Sequence, residues 1–266
     1  MARTNARNVR ERIESGFIRA AIFDVYGTLV DWVPTIRRFL VDFAREHFSQ
    51  EALRRVGQEP TGPDSVIDAD ALLQKYDEVR RRVQIEHPTA LYPAVLRQSL
   101  DEFAIAFGIE PVPDESRRFA EGPRTWPAFH DSHAVLCQLR EKGLVVAAVS
   151  NIDNDSLRHT CDHALEFRFD EVVTAEDVGA YKPNPRLLGR MLSLLGKRNV
   201  RTDQILLIAQ SLYSDHKPTG KLYPEILRVH VNRPGSILGL TVEGVPAPDL
   251  EVSTLSEFEA IIFGGR

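Results

Sequence analysis

Cysteine is almost missing from this chain: Cys137 and Cys161 are the only two among 266 residues. Two thiols cannot form a disulfide framework or a structural zinc site, and they fit a reducing cytoplasm. Long apolar runs are missing too. None approaches the roughly 18 residues needed to span a bilayer, and no signal-peptide pattern opens the chain. An excess of positive charge is also absent, since 33 Lys and Arg face 38 Asp and Glu, for a net charge of -5. No nucleic-acid or membrane partner is therefore expected. Arginines do gather over residues 3–19 and at Arg80, Arg81 and Arg82, but glutamates lie near both groups, which reads as solvated helix faces. Internal repeats and low-complexity tracts are lacking as well.

What is present is an ordinary globular composition, 43% hydrophobic and 27% charged. Short apolar runs recur and stop at polar residues: FIRAAIF before Asp24, LVVAAV before Ser150, EVVTA before Glu176, ILLIA before Gln210 and RVHV before Asn232. Each has strand length, and the more apolar ones suit strands covered on both faces. Helical patterns separate them. Val135, Leu136 and Leu139 share a face that Gly143 closes. Leu187, Leu188, Met191, Leu192 and Leu195 share another, with Gly196 as the expected stop. Alternation of this kind predicts an α/β fold with a parallel sheet wrapped by helices, whose sites gather at the carboxyl ends of strands.

Residues 33–124 read differently. Ile36, Phe39, Leu40 and Phe43, and again Leu96, Leu100, Phe103 and Phe107, follow helical spacing, and no strand is evident. Breaks fall at EPTGPDS, HPTALYP, GIEPVPDES and EGPRTWP. The expectation is an all-helical cap inserted after the first strand, closing over a small substrate at the sheet's carboxyl edge. The core is then discontinuous, 17–32 plus 125–266, and residues 1–16 form an N-terminal arm or a short helix.

Chemistry concentrates in four places. Asp24 leaves a buried strand into the turn of FDVYGTLVDW; its carboxylate is ionised at neutral pH and can attack carbon or phosphorus, though a lone D-x-x-G also serves as a simple turn. Ser150 and Asn151, in AVSNIDND, can hold a substrate carboxylate or phosphate, or merely mark a strand-to-helix transition. Lys182, between Tyr181 and Pro183, can balance a carboxylate and stabilise developing negative charge, or be a solvated loop lysine. In AQSLYSDH, Ser211 and Asp215 can orient Lys182 or a water. His216 could act as a base, but its place beside a turn suggests simple exposure.

The order and spacing of these motifs resemble the haloacid dehalogenase superfamily, through FDVYGTLVDW, VVAAVSNI, VGAYKPNP and ILLIAQSLYSDH. The resemblance implies a Rossmann-like core with a helical cap. It further implies Asp24 as nucleophile, Thr28 and Ser150 as substrate-binding groups, Lys182 as the cation and Asp215 as the last acidic position. Most members are magnesium-dependent phosphatases with a second acid in a D-x-D motif and a Gly-Asp in the last motif. Here those positions are Tyr26, a phenol that titrates near about pH 10, and Gln210, a poor ligand for Mg²⁺. The D-V-Y-G-T-L form is instead similar to the metal-free 2-haloacid dehalogenase branch. Its mechanism implies an aspartyl ester at carbon, a small carboxylate substrate, and no metal or cofactor. Tyr26, Thr28, Ser150, Asn151 and Ser211 are the expected substrate-binding residues.

That branch uses a cap arginine to receive halide, and the comparable stretch ALLQKYDEVRRR has none in register, Arg80 lying further along. Alternatives left open are a non-halide leaving group, a Mg-dependent phosphatase and a non-catalytic binding protein. A homodimer is compatible with the sequence.

Overall fold

The computed structural model describes residues 2–55, 67–236 and 242–264; the break EPTGPDS lies outside them. Six strands form one parallel sheet: β1 (Ala20–Phe23), β2 (Val145–Ser150), β3 (Glu171–Thr174), β4 (Ile205–Ala209), β5 (Leu227–Val231) and β6 (Leu250–Val252). The apolar runs predict the first five. The sixth escapes the pattern because an exposed Glu251 separates its two buried residues at the sheet edge.

The strand order is β3-β2-β1-β4-β5-β6. Phe23 therefore lies between Ala148 of β2 and Ile208 of β4. The winding reverses at β1 and β4, which opens a crevice at their carboxyl ends. Every residue of β1, β4 and β5 is buried, as expected of strands covered on both faces.

Helix Ser132–Glu141 buries Val135, Leu136 and Leu139. It is followed by Gly143 at φ 82, the left-handed conformation that lets the chain turn out of a helix. Helix Arg186–Lys197 buries Leu187, Met191 and Leu195. It runs through Gly196 rather than stopping there, and the left-handed residue after it is Asn199 at φ 58, an amide side chain that tolerates this conformation.

The chain divides into two compact units, residues 1–31 with 127–266, and residues 32–126. Residues 1–16 do not stand apart from the first unit. Helix Ala2–Glu14 buries Val9 and Ile13 and packs against helix Leu255–Phe263 and β6. The second unit is helical throughout its described residues, with Val33–His47, Gln50–Arg55, Ala69–Glu86, Tyr92–Ala106 and Pro113–Ala120. Its ends lie one or two residues beyond the expected 33–124, and the rings of Trp32 and Trp126 stand 6.2 Å apart there. No helix among the described residues is long and apolar enough to cross a membrane.

Candidate active site

Asp24 is the first residue after β1, and its N–H still donates to Ile208 of β4 at 3.2 Å, so the ladder fixes its backbone. The chain then turns sharply through Gly27, whose φ of 96 requires a residue without Cβ. The turn brings Thr28 back to Asp24, and its hydroxyl donates to Oδ2 at 2.8 Å. The same hydroxyl accepts the N–H of Gln210 at 2.9 Å. A single threonine thus ties the end of β1 to the end of β4.

Lys182 follows the Asn154–Thr160 helix and β3, yet its ammonium reaches the crevice. Nζ donates to Asp24 Oδ1 at 2.6 Å, Asp215 Oδ1 at 2.8 Å and the Val149 carbonyl at 3.0 Å. All three of its protons are used. Asp24, Lys182 and Asp215, separated widely in sequence, form one buried cluster of two carboxylates and one cation. Burial draws the Lys182 ammonium downward, but Asp215 and Asp24 outweigh it and leave the pKa raised. Burial pushes the Asp215 carboxyl up to about 7, with Asp24 adding to the rise and Lys182 opposing it. One cation cannot fully balance two desolvated anions. Asp215 Oδ2 has no hydrogen-bond partner, and a recess of about 20 Å³ lined partly by Lys182, Ser214 and Asp215 lies beside it. That is room for about one water molecule.

The other expected site residues divide. Ser150 ends β2, is buried, and its Oγ lacks a partner, so a hydroxyl is left to bind something. Asn151 has its amide committed to the backbone of Lys182. Its Nδ2 donates to the Lys182 carbonyl at 3.1 Å, and its Oδ1 accepts the Lys182 N–H at 2.5 Å. Its observed work is to shape the lysine loop. Ser211 accepts the Ser214 N–H at 3.0 Å and caps the turn Leu212–His216. The Tyr26 hydroxyl shares a 2.6 Å hydrogen bond with Thr160, and the Gln210 amide donates to Ser236 at 2.9 Å.

His216 is not exposed, contrary to the expectation from its turn position. It is wholly buried, Nε2 lies 2.9 Å from the Ala209 carbonyl, and burial drives its pKa down to about 3. Arg80 is likewise occupied, half-buried against Asp77 within its own helix with its guanidinium 5.7 Å from the centre of the Trp32 ring.

One pair was missed in the sequence. Arg233, just beyond β5, donates to both oxygens of Asp131 at 2.7 and 2.8 Å and to the Thr28 carbonyl at 3.1 and 2.7 Å. Burial pushes Asp131 upward, but Arg233 and the N–H groups of Ser256 and Leu255 outweigh it, so its pKa is lowered. The only available signal was a charged residue following the apolar run RVHV. Nothing in the sequence joins it to Asp131.

A nucleophile-competent carboxylate held by a hydroxyl and an ammonium at the switch point of a parallel sheet defines an α/β enzyme. The chain belongs to the haloacid dehalogenase-like hydrolase family, whose family model matches residues 18–208. Haloacid dehalogenase-like hydrolase domain-containing protein 3 of Mus musculus is 33% identical over 87 residues, which are 33% of this chain and 35% of that protein. The match thus spans about a third of that relative's length. Phosphoserine phosphatase of Thermus thermophilus is 26% identical over 258 residues, covering 90% of this chain and 97% of that one. Among solved structures, L-2-haloacid dehalogenase from Xanthobacter autotrophicus with chloropropionic acid covalently bound shares the fold. The TM-score is 0.68 at 19% identity, over 94% of this chain and 100% of that one.

Proposed function

We propose that the chain is a metal-independent hydrolase of the 2-haloacid dehalogenase type, acting at carbon of a small carboxylate substrate through an ester on Asp24. The observation that carries this reading is that Tyr26 and Gln210, where a magnesium-dependent relative carries acids, are neutral side chains hydrogen-bonded to Thr160 and Ser236. That leaves the Lys182 ammonium, 2.6 Å from Asp24 and 2.8 Å from Asp215, as the cation of the cluster. The donor set does not fit Mg²⁺: beyond Asp24 and Asp215, which already share one cation, the matching positions carry a phenol hydrogen-bonded to Thr160 and a neutral amide hydrogen-bonded to Ser236.

In the first step an Asp24 oxygen attacks the carbon bearing the leaving group. The new C–O bond forms as the carbon–halide bond breaks, and halide departs with the electron pair. Thr28 and Lys182 hold the carboxylate oriented for that attack. Ser150, with its free hydroxyl, binds the substrate carboxylate, and Lys182 contributes positive charge beside it without a further hydrogen bond. In the second step water adds to the Asp24 side-chain carbonyl carbon and gives its proton to Asp215, and the alcohol product leaves as the carboxylate re-forms. The free Oδ2 of Asp215 supports this role. Both cysteines are free thiols, in keeping with a cytoplasmic enzyme.

Halide release from 2-chloropropionate or chloroacetate should survive EDTA and fall by about 10⁴-fold or more in Asp24→Asn. Single turnover in ¹⁸O water should place label in Asp24. Absence of turnover with every haloacid, by folded protein, rejects the dehalogenase assignment. The phosphoserine phosphatase relative favours a second reading, phosphoryl transfer. Magnesium-stimulated hydrolysis of p-nitrophenyl phosphate would establish it in place of the first.

A further inference from the structure

The helical unit contains a group of ligating side chains that the Asp24 chemistry does not use. Glu46 and His47 end the helix Val33–His47, and Glu115 lies in the first turn of the helix Pro113–Ala120. One ligand atom from each lies within 4.8 Å of the other two. We propose that Glu46, His47 and Glu115 bind a divalent ion of the zinc class and pin these two helices together.

Four observations converge on this site. First, Glu115 is only 8% exposed, yet its Oε2 has no hydrogen-bond partner. A buried carboxylate oxygen left bare is costly, and an unseen cation or water is the usual explanation. Second, His47 Nε2 and Glu115 Oε1 are hydrogen-bonded at 3.2 Å, a contact that a bound ion would replace. Two ligands each about 2.0–2.1 Å from zinc at a tetrahedral angle stand about 3.3 Å apart, so this pair already has the spacing of one coordination edge. Third, a cavity of about 420 Å³, lined by Glu46 and Glu115 among others, gives an ion a path in and space for a bound water. Fourth, Glu46 and His47 occupy the last turn of their helix, where unpaired carbonyls favour a positive charge.

The remaining contacts are compatible with this. Arg118 approaches Glu115 Oε1 at 3.7 Å, but its side chain is mostly exposed and does not reach Oε2. The His47 ring packs 4.7 Å from the Phe43 ring, which restricts its orientation. Glu46 is exposed and free to swing onto the ion. One imidazole and two carboxylates suit Zn²⁺ better than Mg²⁺, which prefers six oxygens and keeps its waters.

The test uses the full chain, stripped with EDTA and desalted, titrated calorimetrically with ZnCl₂ and followed by thermal unfolding. One site is expected, with a raised unfolding midpoint in zinc and no shift with MgCl₂. His47→Ala and Glu46→Gln, both at partly or fully exposed positions, should keep the far-UV spectrum and each lose at least about tenfold in zinc affinity. Undiminished binding in His47→Ala would place zinc elsewhere, for example on His133 and Cys137, and overturn the proposal. Absence of zinc binding, or an equal response to Mg²⁺, would do the same. None of these readouts depends on hydrolase activity, so the result stands apart from the assignment of Asp24.

Discussion

The two units solve the problem of burial with different materials. In the sheet unit one large apolar cluster on β1, β2 and β4 is made of Ala, Val, Ile, Leu and Met, while rings such as Phe23 and Phe258 are buried elsewhere in the unit. Flat strands covered on both faces accept small and branched side chains readily. Its buried charges include Asp24, Lys182 and Asp215, which meet in one cluster, and the pair Asp131 and Arg233. The helical unit instead runs on ring contacts, from Phe39 to Phe43, Phe48, Phe103 and Phe107, and from Phe39 through Phe119 to Tyr76. The lesson is that packing and chemistry are separated in this molecule. Both units bury charge, Asp77 and Glu115 in the helical one, but the sheet unit gathers two carboxylates around one ammonium where a reaction can use them.

That contrast can be broken by matched deletions. Lys182→Met leaves Asp24 and Asp215 buried without their cation; a loss of about 3–5 kcal/mol in urea unfolding is expected, with turnover abolished. Phe103→Ala in the helical unit should cost about as much, roughly 3–5 kcal/mol by cavity formation, without changing the pH dependence of the chemical step. If Phe103→Ala shifted that pH dependence, the separation would fail.

A smaller effect sharpens the comparison. Arg233→Lys keeps the charge beside Asp131 but gives up the fork that also holds the Thr28 carbonyl. Stability should fall by about 1.5–3 kcal/mol. Because Thr28 orients Asp24, kcat should fall more than KM rises in haloacid kinetics.

The pH dependence acts gradually, one pH unit at a time. Asp215 must be ionised to take a proton from water, and its carboxyl titrates near about 7. In the ester Asp24 has lost the charge that helps raise Asp215 while Lys182 remains, so the acid limb of ester hydrolysis should lie below about 7. The rate should drop about tenfold per unit beneath its midpoint. His216 acts on stability over the same acidic range. Its folded pKa of about 3 lies below the unfolded value. The unfolded chain thus binds the extra proton, and stability declines as pH falls from about 6.5 toward 3, by up to about 1.4 kcal/mol per unit. Acid unfolding followed by circular dichroism should show that slope flattened in His216→Asn.

Much of this was legible in the sequence, for a physical reason. A strand buried on both faces must be apolar along its whole length, so β1, β2 and β4 stand out, and the residues closing them mark the crevice. Asp24, Thr28, Lys182 and Asp215 meet because the strand order brings those ends together. What was hidden depends on partners that sequence does not display. Asn151 and Ser211 are occupied by backbone N–H groups. Arg233 and Asp131 are joined only by the fold. His216 was misplaced because the turn around it is covered, and β6 because an edge strand needs few apolar residues.

The position of β1 also bears on how the chain reaches its native state. It is the earliest strand, yet Ala20 pairs with Val145 and Ile205, so it waits for most of the polypeptide before gaining a neighbour. The intervening helices need only local contacts and can form sooner. Such distant pairing makes assembly of the sheet slow and leaves the AAIF segment exposed on the ribosome. The strand that leads into Asp24 is thus a central strand of the finished sheet whose neighbours are both distant in sequence.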